Sequence, residues 1–371
     1  MAAHYYRDGS ITGGHQALRI DRGTILCARD ADAQCPRWTC IRSLVRSWRL
    51  HPWRRVCRAL AISLLLMLGG LQLSAAPSQP LDQLTESGET LAEEPITPVP
   101  EPPPIDPRKI KLGEHLFGDP RLSRDGSRSC LSCHDVSTNG ASTKRQDVGY
   151  DGSNLQLNTL TVFNAALSFS FGWEGKITTI ESDVRAVLEN PAIMGIRVPE
   201  LVEKLRSDPD MRQEFIAAYN RGPDAQNIPD AIASFMQTLV TPDSRFDRWL
   251  KGDATALSAD ELDGYRLFKS LGCVSCHQGV NIGGNLRERH GIFRPLGSPK
   301  PEILRVPSLR NVAATPPYFH DGSAQTLEEA VRKMGLAQLN STLTDRQVKS
   351  IVAYLHTLTG NYRDLPVGAP P

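Results

Sequence analysis

The sequence has almost no imbalance of charge, since 42 lysines and arginines stand against 41 aspartates and glutamates. A chain this neutral lacks the basic excess that nucleic-acid partners require, so it predicts no such partner. Alternating apolar and polar stretches are also scarce, and the short Thr159–Phe163 is the best strand candidate, which disfavours a sheet-based fold. Cysteine is rare, with eight in the chain. Four of these precede the long apolar run at 59–76 (Cys27, Cys35, Cys40 and Cys57).

The other four cysteines form two C-x-x-C-H motifs, Cys130-Leu-Ser-Cys133-His134 and Cys273-Val-Ser-Cys276-His277. This spacing lets two thiols bond one porphyrin while the next histidine becomes the proximal iron ligand. A zinc site or a redox dithiol also uses C-x-x-C pairs. However, the two histidines are 143 positions apart, which does not fit one small zinc module. The motifs therefore predict two covalently bound haem c groups, and they leave no cysteine for a disulfide downstream of the apolar run.

The first hundred residues are typical of export. Residues 1–58 form an N-terminal extension that ends in a basic region, residues 59–76 are apolar, and small residues close the run at Ala76. This order predicts a secretory signal peptide, although an uncleaved anchor helix has the same length. Residues 1–45 are either an upstream extension from a misplaced start codon or a cytoplasmic tail. Whether the apolar segment is cleaved or stays as an anchor, the rest of the chain is expected in the periplasm. Its first part, at 77–104, is predicted to be an exposed Pro-rich linker.

The region after the linker is organised as a doubled unit. Similar short segments, Gly113–Phe117 and Gly264–Phe268, precede the two haem motifs and are predicted to be helical. An amphipathic helix closes each half, one ending before Pro242 and the other starting at a capping box of Thr344 and Gln347. The sequence thus predicts a mainly α fold with long loops. Its two cytochrome-c-like haem domains are expected at 105–242 and 243–371.

The second axial ligand decides whether a haem transfers electrons or reacts with a substrate. Met334, on a predicted helix Thr326–Met334, is one candidate, because its thioether would raise the haem potential. A single methionine at helical spacing is more often a core residue. The residues alone leave both interpretations open.

Several motifs resemble the bacterial di-haem cytochrome c peroxidases, in order, from about Pro107 to Gly360. They are Asp119–Ser123, both haem motifs, Asn158–Thr161, Phe163–Ala165, Gly172–Gly175, Asn190–Pro191, Gly279–Gly284, Val306–Val312 and Pro317–Gly322. The resemblance implies two cytochrome-c-like helical domains with a calcium ion between them. It also implies that His277 and Met334 ligate an electron-accepting haem, and that Trp173 relays electrons to a peroxidatic haem on His134. The calcium ligands implied are Asn158, Thr315 and Pro317, the last two through carbonyl oxygens.

The chain departs from the family at two catalytic positions. Tyr150 stands where the family has a distal histidine, and it could ligate the iron, donate a hydrogen bond above an open iron, or only pack on its loop. Ile193 replaces the family's catalytic carboxylate in the motif Asn190–Gly195. Asp183, which aligns with a family glutamine, is either a substitute carboxylate or a solvated acid at a helix start.

The resemblance implies a periplasmic enzyme of the cytochrome-c peroxidase type that reduces hydrogen peroxide to water. Electrons would come from a small c-type cytochrome or cupredoxin, and a homodimer is expected by analogy. Because Ile193 cannot move protons, two alternatives stay open: a protein-modifying di-haem oxidase, and a non-catalytic electron-transfer or sensor protein.

Overall fold

The structure, a computed structural model, describes residues 94–368. The predictions for the extension at 1–58, the apolar segment at 59–76 and the first part of the linker lie outside these residues. No helix in the described part is long and apolar enough to cross a membrane.

Helices dominate the described part of the chain, which confirms the predicted mainly α class. The strands form only two short antiparallel hairpins, in which Glu288 pairs with Leu304 and Tyr362 with Leu365. Thr159–Phe163 is irregular, so that strand prediction is wrong. The elements in chain order are α1 Pro107–Gly118, α2 Ile180–Glu189, α3 Val198–Ser207, α4 Pro209–Tyr219, α5 Asn227–Met236, α6 Arg245–Leu250, α7 Ala259–Ser270, β1 Arg287–Arg289, β2 Ile303–Arg305, α8 Leu327–Leu339, α9 Asp345–His356, β3 Asn361–Tyr362 and β4 Leu365–Pro366.

Local sequence signals set most helix ends. Thr344 and Gln347 form the predicted reciprocal capping box at the start of α9, which satisfies two backbone donors. Thr326, the predicted first residue of α8, is the N-cap of a helix that begins at Leu327. This helix runs past Met334 to Leu339, where Asn340 adopts the left-handed conformation that ends it, with φ of 50°.

Two hydrophobic cores lie in the described part. The first core is built on α1 to α5, and the second on α6 to α9 together with Ile96. In each core the helix before the haem motif packs against the closing helix, α1 against α5 and α7 against α9. Aromatic rings fill the second core, where Phe246, Tyr265 and Tyr354 contact one another.

A glycine allows the close helix crossing in each half. A Cβ on Gly113 would lie 1.9 Å from the carbonyl oxygen of Ala231, and one on Gly264 would lie 1.9 Å from that of Ser350. These distances are far below contact, so the helices could not approach as they do with any side chain there. The two sequence segments that looked alike therefore share a packing role.

We expect Gly264→Ala to destabilise the protein despite the better helix propensity of alanine. The propensity gain is at most about 1 kcal/mol, whereas forced overpacking costs about 1–3 kcal/mol or more. Gly222→Ala is the control, because its nearest non-neighbouring heavy atom would be 3.9 Å away. Urea unfolding of the holoprotein measures both. Equal midpoints for the two variants would contradict the packing role.

The linker prediction needs a correction at its end. Pro100–Pro104 is exposed, as expected. Residues 94–99 are not a free spacer, because Ile96 is 1% and Val99 2% exposed, and Ile96 belongs to the second core. The composition predicted a spacer because prolines surround these two apolar residues. The residues that bury them lie far along the chain, so the local sequence does not show the burial.

A buried ion pair holds this segment. Arg310 donates to Asp247 over 2.8 Å, and their side chains are 1% and 0% exposed. The same guanidinium donates to the carbonyls of Thr97 and Val280, both over 2.9 Å, and Asp247 accepts the N–H of Val99. Arg310 thus connects the N-terminal segment with the loop that follows the second haem motif.

Candidate functional site

The two haem motifs adopt the same backbone. Each begins with a single 3-10 turn, Cys130–Ser132 and Cys273–Ser275. The N–H of His134 donates to the carbonyl of Cys130 over 2.9 Å, and that of His277 to the carbonyl of Cys273 over 3.0 Å. This tight turn places both cysteines and the histidine of each motif on one short stretch of backbone, as haem attachment requires.

Each motif histidine is oriented by a backbone carbonyl a few residues later. The Nδ1 atom of His134 lies 3.2 Å from the oxygen of Gly140, and that of His277 lies 3.2 Å from the oxygen of Ile282. When Nδ1–H donates to this acceptor, Nε2 keeps its lone pair for a metal. Burial lowers the pKa of both imidazoles, to about 4 for His277, so both are neutral as iron ligation requires. The residues present therefore fit two haems.

The four cysteines of the two motifs form no disulfide. Burial raises their pKa values, to about 12 for Cys130 and about 11 for Cys133 and Cys273. A raised pKa disfavours the thiolate that zinc binding and dithiol exchange both use. The environment of these cysteines therefore supports neither a zinc site nor a redox dithiol.

Trp173 lies at the centre of a connected group of residues. Its indole N–H donates to the carbonyl of Asn158 over 2.7 Å, and its ring contacts that of His320 edge to face, with centroids 6.2 Å apart. The N–H of Asn158 donates to the carbonyl of His320 over 2.7 Å. Three segments distant in sequence therefore meet here.

Of the predicted calcium ligands, Asn158 belongs to this group, and Thr315 and Pro317 shortly precede His320 in the chain. The side-chain amide of Asn158 donates to the carbonyls of Lys144 and Arg145, both over 3.1 Å, which leaves Oδ1 as its acceptor. Within residues 94–368, neither this oxygen nor the carbonyls of Thr315 and Pro317 accept a hydrogen bond. Unengaged oxygens of this kind are the donors that a hard cation prefers.

Asp183 lies in the first turn of α2, after the cap residue Thr179. It is half-buried, and desolvation raises the pKa of its carboxyl to about 6. The buried Arg305 opposes this shift through its charge, although the two form no direct ion pair in the described structure. Asp183 is therefore a partly desolvated carboxyl in the first turn of α2.

Arg305 is a residue that sequence reasoning missed. Its guanidinium donates to the carbonyl of Gly172 over 2.9 Å and its backbone N–H to the carbonyl of Trp173 over 2.7 Å. Arg305 therefore bonds the segment that holds Trp173, and its positive charge also opposes the rise in the pKa of Asp183 that burial causes. The only sequence signal was its place directly before the motif that starts at Val306.

Tyr150 is held by charged side chains close to the first haem motif. Its hydroxyl donates to Asp125 over 3.0 Å. The guanidinium carbons of Arg124 and Arg128 lie 3.9 Å and 4.0 Å from its ring centroid. Its backbone N–H donates to the carbonyl of Ala192 over 3.3 Å.

Ile193 lies in the turn that follows α2. The N–H groups of Ile193 and Gly195 both donate to the carbonyl of Asn190, over 3.0 Å and 2.9 Å, and Gly195 has φ of +64°. The isoleucine side chain is partly buried against the first core. Because the Tyr150 loop is bonded to neighbouring Ala192, the two departures from the family pattern lie together.

Met334 lies in the middle of α8, which packs on α9. It is partly buried and is not among the residues of the second core.

This combination of a helical fold and two haem-attachment turns defines a di-haem c-type cytochrome. Residues 107–255 match the model of the di-haem cytochrome c peroxidase family, and residues 262–359 match the cytochrome c model. The chain belongs to the bacterial di-haem cytochrome c peroxidase family, whose cofactors are two haem c groups.

The relatives include both peroxidases and methylamine utilization proteins. Cytochrome c551 peroxidase of Nitrosomonas europaea is 38% identical over 84% of this chain and 96% of its own length. Methylamine utilization protein MauG of Methylorubrum extorquens is 31% identical over 70% of this chain and 81% of its own. A crystal structure of a MauG-like protein associated with microbial copper homeostasis superposes with a TM-score of 0.60 at 27% identity, covering 71% of this chain and 93% of that one.

Proposed function

We propose that this protein is a periplasmic peroxidase that reduces hydrogen peroxide to water with electrons from a small c-type cytochrome or cupredoxin. The observation that carries this proposal is the half-buried carboxyl of Asp183, whose pKa is raised to about 6. It lies in the first turn of the helix whose other end leads to Ile193, the position where the family has its carboxylate. A proton acceptor poised near neutral pH is what peroxide cleavage needs.

Each peroxide takes up two electrons and two protons and gives two waters. His134 and His277 would hold the two haems, which when bound would supply the redox chemistry of this reduction. Asp183 would accept a proton from one peroxide oxygen and return it to the other, which leaves as water. Arg305 keeps enough of this carboxyl ionised, because its positive charge opposes the effect of burial.

The other site residues have structural and ligand roles in this proposal. The six motif residues at 130–134 and 273–277 hold the haems, and Met334 is the second ligand opposite His277. Trp173 lies on the electron path, fixed by its hydrogen bond to Asn158. The oxygens of Asn158, Thr315 and Pro317 hold calcium. In this proposal, residues 105–242 form the peroxidatic haem domain and residues 243–371 form the electron-accepting haem domain.

Tyr150 is proposed to hold its loop in place next to the turn that carries Ile193. This role is supported by the hydrogen bond to Asp125 and by the two guanidiniums against its ring. A hydrogen bond from the Ser127 hydroxyl, with a smaller one from Tyr150, lowers the pKa of Asp125 to about 2, so the acceptor stays ionised.

Export to the periplasm is supported by the basic, apolar and small-residue order that ends at Ala76 and by the presence of two c-type haem motifs.

The test is peroxide consumption by the purified di-haem protein with a reduced protein donor, measured beside Ile193→Glu. We expect the wild type to turn over peroxide. An inert wild type with an active Ile193→Glu variant would show that the natural protein has lost the reaction, and would favour the electron-transfer or protein-modifying alternatives.

A further inference from the structure

An exposed apolar patch lies beside the helix that carries Met334. Ile292 and Phe293, on the loop between β1 and β2, are 56% and 53% exposed. Leu336 on α8 and Ile303 on β2 are exposed as well. We call these four residues the apolar patch.

Hydrogen bonds fix the apolar patch to the second half of α8. The N–H of Phe293 donates to the carbonyl of Ala337 over 2.8 Å. The side chain of Gln338 accepts the N–H of Ile292 over 3.4 Å and donates to the carbonyl of Arg289 over 3.1 Å. The loop therefore contacts α8 one turn beyond Met334, close in the chain to the proposed ligand of the electron-accepting haem.

Basic side chains lie on the same loop and strands as this patch. The exposed charges of the loop and its strands are four basic residues against two acidic ones, which leaves a local excess of two positive charges. Arg289 pairs with Glu302. Arg287, Arg294 and Lys300 form no ion pair within residues 94–368. Because the whole chain carries a net charge of only +1, this excess is a local feature.

We propose that the apolar patch is the docking surface for a small electron-carrier protein whose own apolar contact face is rimmed by carboxylates. The proposal rests on the proposed function, since it names the class of partner that delivers electrons to the His277 side. An apolar centre with a charged rim has the anatomy of a transient protein interface. The basic rim selects an acidic partner and accelerates its encounter at low salt.

The first test uses an acidic blue-copper cupredoxin as the probe. Its reduced form is mixed with the oxidised holoprotein without peroxide in a stopped-flow instrument, and binding of its oxidised form is measured by calorimetry. We expect Phe293→Ser to lower the second-order rate constant and the affinity about tenfold. Phe169→Ser is the matched control, because Phe169 is 76% exposed but lies outside the patch, and it should change neither value.

The second test concerns the charged rim. We expect Arg294→Glu to slow reduction about three- to tenfold at low ionic strength, and the difference to disappear at high salt. Lys111→Glu, an exposed charge reversal on α1, should have no such effect. A basic cytochrome c should show the opposite response to Arg294→Glu.

Three outcomes would overturn the proposal. They are an unchanged rate constant in Phe293→Ser, an equal loss in the control variants, and a shift in sedimentation from dimer to monomer in Phe293→Ser without any change in cupredoxin binding. Peroxide turnover with a small-molecule donor separates this failure from failure of the proposed function. If the docking surface is wrong but the peroxidase is right, that turnover is present in every variant. If it is absent in the wild type, the peroxidase proposal fails while the binding results still stand.

Discussion

Asp183→Asn should lower peroxide turnover by about two powers of ten, because it removes the only carboxyl that we assign to proton transfer. General acid–base groups contribute about 10²–10⁴ in rate. The asparagine has a similar shape, so peroxide access is preserved. The measurement is peroxide consumption under saturating reduced donor, with the pH varied from 4.5 to 8.

The pH profile gives the sharper result. The carboxyl must be ionised to accept a proton, so turnover in the wild type should rise with pH through about 6, the pKa to which burial raises Asp183. The Asp183→Asn variant should not show this rise of turnover with pH. Glu181→Gln is the matched control, since Glu181 is a carboxylate in the same first turn of α2. It should retain both the rate and the pH profile.

A rescue variant tests the position of the carboxyl. Asp183→Asn combined with Ile193→Glu should regain activity, because it returns a carboxylate to the family position. If Asp183→Asn alone turns over like the wild type, Asp183 has no part in the chemistry.

At pH 7, the Asp183→Asn substitution should lower activity without lowering the stability of the folded protein. A carboxyl whose folded pKa is raised favours folding only while it is protonated, so its contribution is complete below the unfolded pKa of 3.8 and is lost as the pH rises through about 6. At pH 7 the desolvated Asp183 therefore destabilises the native state. We expect Asp183→Asn to be at least as stable as the wild type there, so that a loss of activity cannot come from unfolding.

Arg310→Met should lower the free energy of unfolding by about 3–5 kcal/mol, because it leaves Asp247 buried without its cation. The loss also removes hydrogen bonds to the carbonyls of Thr97 and Val280. We therefore expect faster proteolysis within residues 94–99 in the native protein. Urea unfolding of the holoprotein and limited proteolysis measure the two effects.

An exposed ion pair provides the comparison. Arg266 and Asp263 lie 3.0 Å apart, but their side chains are 71% and 53% exposed. Such pairs contribute about 0–1 kcal/mol, so Arg266→Met should be nearly neutral. If Arg310→Met were equally mild, the buried pair would not be what holds the N-terminal segment.

Much of this protein could be predicted from short stretches of sequence. The C-x-x-C-H motifs specify haem attachment because the reacting thiols and the ligand lie within five positions. The capping box of Thr344 and Gln347 was equally local, and the structure confirms it. The order of family motifs identified the family, which the comparisons confirm.

Features that depend on distant contacts could not be read in this way. Ile96 and Val99 belong to a proline-rich stretch, and only the packing of the second core shows that they are buried. The helix Thr326–Met334 was placed correctly at its start, where the cap is local. It ends at Leu339, five residues beyond the last predicted position, because the backbone of Asn340 adopts the left-handed conformation.

The sequence by itself determined the two haem c groups, the helical class and the family, because each depends on residue types at fixed short spacings. Only the tertiary structure placed Arg305 near Asp183, the hydroxyl of Tyr150 on Asp125, and an apolar loop beside the helix of Met334. Desolvation and charge act through space, and the groups involved are brought together from separate segments by folding. The chemistry that we propose at the first haem therefore depends on contacts that no motif contains.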